Sequence, residues 1–155
     1  MTDLDLQKNI VDKLQELLMS QGIMFLLVDK LENLKVYIQD LPIKDDEDDE
    51  ALRNYVLIMI GDEDVLDNEW NVEIHFSINI EDRDRDRSGN INVLYMMNEI
   101  YAYFVKNGIV GKHCRMEKEA HKRLNMEAQY PFYEGDLITY WKLPVPNEEG
   151  LEELI

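Results

Sequence analysis

Residues 70–80 read WNVEIHFSINI, and this stretch decides the fold. Apolar side chains stand at every second position, with polar or charged side chains between them. Alternation with a period of two is typical of a strand that has one face on a core and one face turned to solvent. The sequence therefore predicts a long, half-buried strand here.

Shorter segments on both sides of this strand predict the rest of a sheet. Residues 35–39 (KVYIQ) favour a short strand that ends before Pro42. Residues 55–60 (YVLIMI) are continuously apolar, which favours a central strand buried on both faces. Residues 137–143 (LITYWKL) predict a last strand before Pro144, and an alternation over residues 124–130 leaves open whether one or two strands lie there.

Two segments have the spacing of amphipathic helices. Leucine and isoleucine recur at helical spacing over residues 6–18, where Thr2 or Asp3 is suited to cap the start and Gly22 to end the helix. A second helix is predicted from Ile91 to the Asn107-Gly108 pair. Residues 23–34 stay open between a buried strand and a further helical turn.

The order of these elements favours an α+β fold, with a mixed or mostly antiparallel sheet of about four strands and two main helices packed on it. We expect one domain over residues 1–146 and a flexible acidic tail over residues 147–155. Cys114 is the only cysteine, so no disulfide can form within the chain, which suits a reducing compartment. The longest apolar run, residues 23–28, is too short to span a membrane, so we expect no membrane partner.

Charge is the most distinctive property of the chain. The formal net charge is −17, which repels phosphate backbones and disfavours ordinary nucleic-acid binding. The charge is also uneven, because residues 40–69 hold twelve acidic side chains and residues 106–123 hold six basic ones. These segments are candidates for complementary interaction surfaces. The candidate interface residues are Asp45, Asp46, Glu47, Asp48, Asp49, Glu50, Asp62, Asp64, Lys112, Arg115, Lys118, Lys122 and Arg123.

No motif in the sequence predicts catalysis or a cofactor. His113, Cys114 and His121 are metal-ligand types, but their spacing matches no standard zinc pattern, and we favour a solvated basic strand or loop. His75 lies on the polar side of the alternating strand with no nucleophile evident nearby in the sequence, which favours a structural role. We therefore expect no catalytic, cofactor-binding or metal-binding residues.

A second possible ion site lies at the end of the alternating strand. Asp82, Asp84 and Asp86 have the spacing that opens a calcium loop, but Val93 stands where that loop needs a bidentate glutamate. The arginines between these acids also neutralise them. A salt-bridged surface turn, solvated like the acidic run 45–50, is the favoured interpretation.

In the order of their elements and in the polarity pattern of each element, the segments resemble the tail terminator, or tail-completion, proteins of long-tailed bacteriophages. The resemblance covers about residues 4–145: a leading helix, a short strand ending in VYIQDLP (36–42), the apolar strand 55–60 and the alternating strand from Trp70. It continues through the charged turn that closes on Ser88-Gly89, the long helix to Gly108 and a final aromatic strand ending in Leu143-Pro144. The run DDEDDE (45–50) and the acidic tail depart from the family pattern.

The resemblance implies a structural role in virion assembly. It implies a ring, a hexamer in this family, that caps the tail tube and presents a surface to the head-tail connector protein. The partners would then be further copies of the chain, the tail tube protein and the connector, with DNA only as cargo passing through the lumen. The location would be the tail or neck of a virion assembled in the bacterial cytoplasm.

Two other functions remain open at this point. An acidic inhibitor or immunity-type protein, with carboxylates that imitate DNA phosphates, has the same size and charge. A hydrolase that uses dispersed carboxylates would need a pocket that separates their pKa values. An inhibitor should be a monomer or dimer, whereas a terminator should be able to form a closed ring.

Overall fold

The fold is an α+β arrangement of one mixed sheet with helices on one face. A computed structural model describes residues 2–20, 34–42, 54–83, 89–107, 109–110 and 114–146. The described elements, in chain order, are α1 (Asp3–Ser20), β1 (Lys35–Ile38), β2 (Tyr55–Val65), β3 (Trp70–Glu81), α2 (Gly89–Lys106), β4 (Ile109–Val110), β5 (Cys114–Leu124) and β6 (Phe132–Leu143).

The sheet has the strand order β1-β2-β3-β6-β5-β4 among the described residues. Within the described strands, β1 and β2 pair in parallel, and the remaining neighbours are antiparallel. The fold class predicted from the sequence is confirmed. The predicted count of about four strands is too low, because β5 is too polar and β4 too short to give a hydrophobic period.

The alternating stretch is β3, as predicted, and it lies in the middle of the sheet. Its buried residues are Val72, Ile74, Phe76, Ile78 and Ile80, and the residues between them are half-buried. The helices cover the side with the buried residues, which we call the helix face; the opposite side is the far face. Directly paired residues on neighbouring strands lie on the same face of the sheet. The pairing with β3 therefore shows on which face each residue of the other strands lies.

The two neighbours of β3 are longer than the sequence predicts. β2 is an interior strand whose first four residues are buried on both faces, as expected, but it continues to Val65 through charged residues. β6 begins at Phe132, and twelve of its residues pair with β3. The alternation over residues 124–130 proved misleading: beyond Leu124 it lies in the turn between β5 and β6.

The core lies between the sheet and the inner sides of the helices. α2 contributes Phe104, whose ring lies 5.6 Å from Phe76 and 5.7 Å from Trp141 between centroids. Thr139 is fully buried beside them; its hydroxyl donates to the carbonyl of Ile74 at 2.9 Å and accepts from the indole N–H of Trp141 at 2.9 Å. Every polar atom of this buried pair therefore has a partner, as buried polar groups require.

Local signals explain where α1 begins. The Thr2 hydroxyl accepts from the backbone N–H of Asp5 at 3.3 Å, and the Asp5 carboxylate accepts from the backbone N–H of Thr2 at 3.0 Å. This reciprocal capping box confirms Thr2 as the cap, and it lowers the pKa of the Asp5 carboxyl through the Thr2 hydrogen bonds.

At the end of β1, the side chain of Gln39 makes a hydrogen bond to β2 in place of a backbone group. Its φ of 63° turns the chain away from the sheet, while its amide oxygen accepts from the N–H of Ile60 at 2.9 Å. The buried Gln7 of α1 donates to the same oxygen at 3.0 Å and to the carbonyl of Ile58 at 2.9 Å. These bonds satisfy backbone groups of β2 where the edge strand β1 ends, and they connect α1 to β2.

A candidate subunit interface on the far face

The acidic residues of the described chain concentrate where β2 turns into β3. We call residues 61–69 (GDEDVLDNE) the acidic arm; residues 61–68 are exposed and Glu69 is half-buried. Five of its nine residues are acidic, and Val65 and Leu66 at its tip are 61% and 53% exposed. The arm thus combines negative charge with an apolar tip, a composition suited to a protein contact.

Two hydrogen bonds hold the arm in place. The indole N–H of Trp70 donates to the Glu63 carboxylate at 3.0 Å, and the backbone N–H of Leu66 donates to the carbonyl of Glu69 at 2.6 Å. Partial burial and the neighbouring Asp3 carboxyl raise the pKa of Glu63, although the Trp70 bond lowers it. The arm therefore sits against the first turn of α1.

A bulge in β2 shapes the base of the arm. The register shifts between Ile60 and Glu63, so that Gly61 and Asp62 are accommodated opposite β3. A Cβ on Gly61 would lie 2.8 Å from Nε2 of His75, which pairs with the Glu73 carboxylate. A glycine at position 61 therefore leaves room for this His–Glu pair.

Of the basic residues predicted as one surface, those described in β5 divide between its two faces. Arg115 pairs with Lys142 and Arg123 with Asp136, which places both arginines on the far face. Lys122 pairs with Leu137 on the helix face, where its ammonium donates to the Asn98 side chain of α2. The basic run is therefore not a single patch, and only part of it can meet a partner at the far face.

Lys122 and the strand residue Lys118 are both connected to α2. The Lys122 ammonium lies 5.8 Å from the ring centroid of Tyr101, a cation–π distance. The Tyr101 hydroxyl donates to the backbone carbonyl of Lys118 at 2.5 Å. These contacts hold the middle of β5 against the helix layer.

A row of charged and polar residues crosses the far face at one level. The register places Asp64 opposite Asn71, Asn71 opposite Lys142 and Lys142 opposite Arg115. The row has a carboxylate at its β2 end and two cations at its β6 and β5 end. With strands roughly 4.8 Å apart, the two ends are separated by about 14 Å.

Lys142 is a member of this row that sequence reasoning missed. Its ammonium lies 3.5 Å from the Glu69 carboxylate and 3.7 Å from that of Glu117. The signal was present in LITYWKL, because a lysine between two apolar residues of a strand must point to the other face. Lys142 joins the acidic arm to the basic end of the row.

Several candidate interface residues lie outside the described residues. They are Asp45, Asp46, Glu47, Asp48, Asp49, Glu50 and Lys112. Residues 23–33 of the undecided segment 23–34, the residues Asp84 and Asp86, and the acidic tail 147–155 also lie outside them.

Of the potential metal ligands, His113 lies outside the described residues, and the other two do not come together. Cys114 is fully buried, whereas His121 is exposed on the far face opposite Ile138. Burial raises the pKa of the Cys114 thiol to about 12, which opposes the thiolate that a metal needs. Across the described ranges, no three His, Cys, Asp or Glu side chains cluster closely enough to hold an ion.

A polar groove of about 480 Å³ lies beside the turn between β5 and β6. Glu134 and Asp136 line it from β6, and Arg123 and Asn125 line it from the β5 side. The Glu134 carboxylate accepts from the Asn125 amide, and Arg123 stands opposite Asp136 in the register. Glu134 and Asp136 are therefore half-buried beside polar partners, and they are not enclosed together.

Comparisons with known proteins give a fold but no family. No protein-family profile matches the chain, and no curated protein is significantly similar in sequence. A solved protein known only by a sequence identifier is 11% identical, with a TM-score of 0.51 over 88% of this chain and 96% of its own. That similarity shows a shared fold alone. Neither described helix is long and apolar enough to cross a membrane.

A second solved structure is a chain from the virion of a native gene transfer agent particle. It is 12% identical, and the match covers 84% of this chain and 91% of that one, with a TM-score of 0.44. This likeness is too distant to support an argument about function.

Proposed function

We propose that this chain is a non-catalytic assembly protein of the tail terminator type. Copies of the chain form a closed ring that caps a tail tube and joins it to a head-tail connector in the neck of a virion. The ring is a hexamer if the resemblance of its sequence to tail terminators extends to assembly. The gene transfer agent likeness is too weak to support this proposal.

The observation that carries the proposal is the row of opposite charges across the far face. A ring needs a head-to-tail contact, in which two different surfaces of one subunit complement each other. The acidic arm at one end of the row and Arg115 at the other meet this requirement on a single sheet. Neighbouring subunits would join the acidic arm of one to the basic end of the next.

Charge alone gives such a contact little strength. An exposed ion pair contributes roughly 0–1 kcal/mol, so a few pairs orient subunits more than they hold them. The exposed Val65 and Leu66 at the tip of the arm supply apolar area that ion pairs lack. We expect ring formation to depend on protein concentration and to weaken as salt shortens the Debye length from about 8 Å to about 3 Å.

The overall charge fits the passage of DNA through such a ring. A cationic lumen would release counterions from DNA and retain it, whereas a lumen lined by carboxylates would let it pass. The net charge of −17 means that acidic residues exceed basic ones, so acidic residues could line that surface.

The test is a charge swap between two variants. Asp62→Lys with Asp64→Lys makes the arm basic, and Arg115→Glu with Arg123→Glu makes the far face of β5 acidic. Each variant alone then has like charges at the contact and should stay below ring size. Mixed in equal amounts, the two can alternate around a ring with an even number of subunits, and native mass spectrometry should show a closed ring again.

Matched controls carry the same charge changes away from the contact. Asp12→Lys with Glu16→Lys alters exposed positions of α1 by the same +4, and Lys8→Glu with Lys13→Glu alters α1 by −4. Both controls should assemble as the parent does. The proposal is wrong if the mixture stays monomeric while the parent forms rings, or if the parent remains a monomer or dimer at all concentrations, as an inhibitor would.

A further inference from the structure

The groove beside the turn between β5 and β6, which we call the turn groove, contains polar side chains that the fold does not use. Three of its lining residues form one row on the far face, where Ser77 pairs with Asp136 and Asp136 pairs with Arg123. Within the described part of the chain, the side chains of Ser77 and Asp136 make no hydrogen bond, and Asp136 forms no ion pair with Arg123. A half-buried carboxylate in this state is available to a ligand.

Tyr55 of β2 adds a buried hydroxyl close to these groups. It pairs with Asn79, which pairs with Glu134, so Tyr55 lies on the far face in the row next to that of Asp136. Tyr55 is only 8% exposed, and its hydroxyl makes no hydrogen bond to any described residue. Burial raises the pKa of Tyr55, and the charges of Glu134 and Asp136 raise it further, which shows that its hydroxyl lies towards both carboxylates. A second unused polar group therefore points towards the same acids.

Hydrogen bonds within the turn fix one wall of the turn groove. The Asn125 side-chain amide donates to the Glu134 carboxylate, and the Asn125 side-chain oxygen accepts from the backbone N–H of Glu127 at 3.0 Å. The backbone N–H of Asn125 donates to the carbonyl of Glu134 at 3.0 Å. Met126 also lines the groove and is 86% exposed, so it offers an apolar surface beside the acids. Because the wall is already ordered, a ligand loses little affinity to ordering it.

The charges of the turn groove and their spacing select the class of ligand. Three acids and one arginine are among the lining residues, which favours a cation. Glu134 and Asp136 are two residues apart on one face of β6, so their Cα atoms are separated by about 7 Å. No three carboxylate, imidazole or thiol groups of the described residues come close enough to hold a metal ion. A planar guanidinium has five N–H donors on different edges and can reach acids that are spaced in this way.

We propose that the turn groove binds a guanidinium group on an aliphatic chain, as in an arginine side chain. The guanidinium donates to the carboxylates of Asp136 and Glu134, and the hydroxyls of Ser77 and Tyr55 accept its remaining hydrogen bonds. The aliphatic chain packs on Met126, because long cationic side chains cover apolar surface with their methylene groups. The inference does not depend on the proposed function.

Arg123 gives the main alternative, which is an anion. Its exposed guanidinium lines the turn groove and could bind a phosphate or a carboxylate. Such an anion would have to approach three acids in a chain with a net charge of −17. A cationic ligand is repelled by Arg123 and attracted by the acids, so Arg123→Gln should strengthen its binding about twofold to threefold.

The turn groove is separate from the ring contact. Along β3, Ser77 lies six residues from Asn71, which belongs to the row between Asp64 and Arg115. At about 3.4 Å per residue, the two positions are roughly 20 Å apart on the far face. Each surface can therefore be occupied or disrupted without the other.

Nuclear magnetic resonance titration of the isotope-labelled chain tests the inference. The probe is N-acetylarginine amide, and its neutral isostere N-acetylcitrulline amide is the matched control. The arginine probe should shift the backbone amide signals of Ser77 and Asp136 with a Kd on the order of 1 mM, and the citrulline probe should bind about tenfold more weakly. N-acetyllysine amide has the same charge as the arginine probe but lacks the planar fork, so it should bind about threefold more weakly.

Two variants show whether the acids of the turn groove make the contact. Asp136→Asn removes a charged acceptor and should weaken binding of the arginine probe about fivefold or more. Asp64→Asn changes the net charge equally at an exposed position of the acidic arm, and it should leave the Kd unchanged. The dispersion of the amide signals shows that each variant is folded.

Ethylguanidine identifies the source of the guanidinium, because it lacks a peptide backbone. Weaker binding than that of the arginine probe indicates a protein side chain, and equal binding indicates a small free guanidine; both results support the site. The ring variant Asp62→Lys with Asp64→Lys should still bind the arginine probe, so a failure of the ring alone is recognised.

Four results would overturn the inference. The citrulline or lysine probe could bind as tightly as the arginine probe, or the shifted signals could lie away from the turn groove. Asp136→Asn and Asp64→Asn could weaken binding equally, which would indicate only attraction to an acidic protein. Finally, inorganic phosphate could shift the signals of Ser77 and Asp136 where the arginine probe does not, which would make Arg123 part of an anion site.

Discussion

Replacing Gly135 with alanine should lift α2 from the sheet, and its cost can be worked from the distances. Gly135 lies on β6 beneath the helix. An added Cβ would lie 2.3 Å from the methyl carbon of Met97, 2.9 Å from Cγ1 of Val93 and 2.9 Å from the backbone carbonyl oxygen of Arg123. The two side chains could shift, but the β5 carbonyl is fixed by its own strand. The Cβ therefore meets contacts on both sides.

Overpacking of this kind costs about 1–3 kcal/mol, and we expect about 2 kcal/mol for Gly135→Ala. For a chain of 155 residues, that loss should lower the Tm by about 4–8 °C. Thermal and urea unfolding followed by circular dichroism measure both quantities. The structure adds a more specific expectation, because Met97 makes the shortest of the three contacts.

A double-mutant cycle tests that contact. Met97→Ala alone should cost about 2–5 kcal/mol through the cavity it leaves. In its presence the added Cβ of Gly135→Ala has room, so the double variant should be more stable than the sum of the single losses by about 1 kcal/mol or more. If the loss of stability in the double variant equals the sum of the two single losses, the added Cβ does not clash with Met97.

Gly61→Ala is the matched control for Gly135→Ala. Both glycines lie in strands, so the gain from a less flexible unfolded chain is the same. At position 61 the new Cβ meets the ends of the His75 and Glu73 side chains, which can move. The expected cost is about 0.5 kcal/mol or less. Equal losses for the two variants would show that close approach of α2 does not set the cost at position 135.

Two further predictions concern single groups. Cys114 is fully buried and its pKa is raised to about 12, so an aromatic disulfide reagent at pH 8 should label it only as fast as the protein unfolds, and immediate labelling of the native protein would contradict its burial. Burial and the nearby Asp3 carboxyl raise the pKa of Glu63 above its ordinary 4.5, so folding holds this proton more tightly and stability is lost as pH rises through the raised value. As the pH rises from 4 to 7, Glu63→Gln should therefore gain stability relative to the parent, measured by urea unfolding. If the difference in the free energy of unfolding between variant and parent is constant over this range, the pKa of Glu63 is not raised.

The sequence by itself determined the elements whose signals are local. The alternation over residues 70–80 is β3 because one side of a strand faces a core, and Thr2, one of the two predicted caps, starts α1. The wide apolar face of residues 91–105 predicted α2. In each case the physical cause lies within one element and has a period that can be read along the chain.

Only the tertiary structure decided how charges and faces are arranged. The basic residues of β5 divide between two surfaces because neighbouring residues of a strand point to opposite faces, which puts Arg123 on the far face and Lys122 against α2. The row from Asp64 to Arg115 depends on the register of four strands, and register is set by pairing across the sheet, far apart in sequence. α2 also has apolar residues on its exposed side, such as Ile91 and Leu94, and packing on the sheet decided which side is buried.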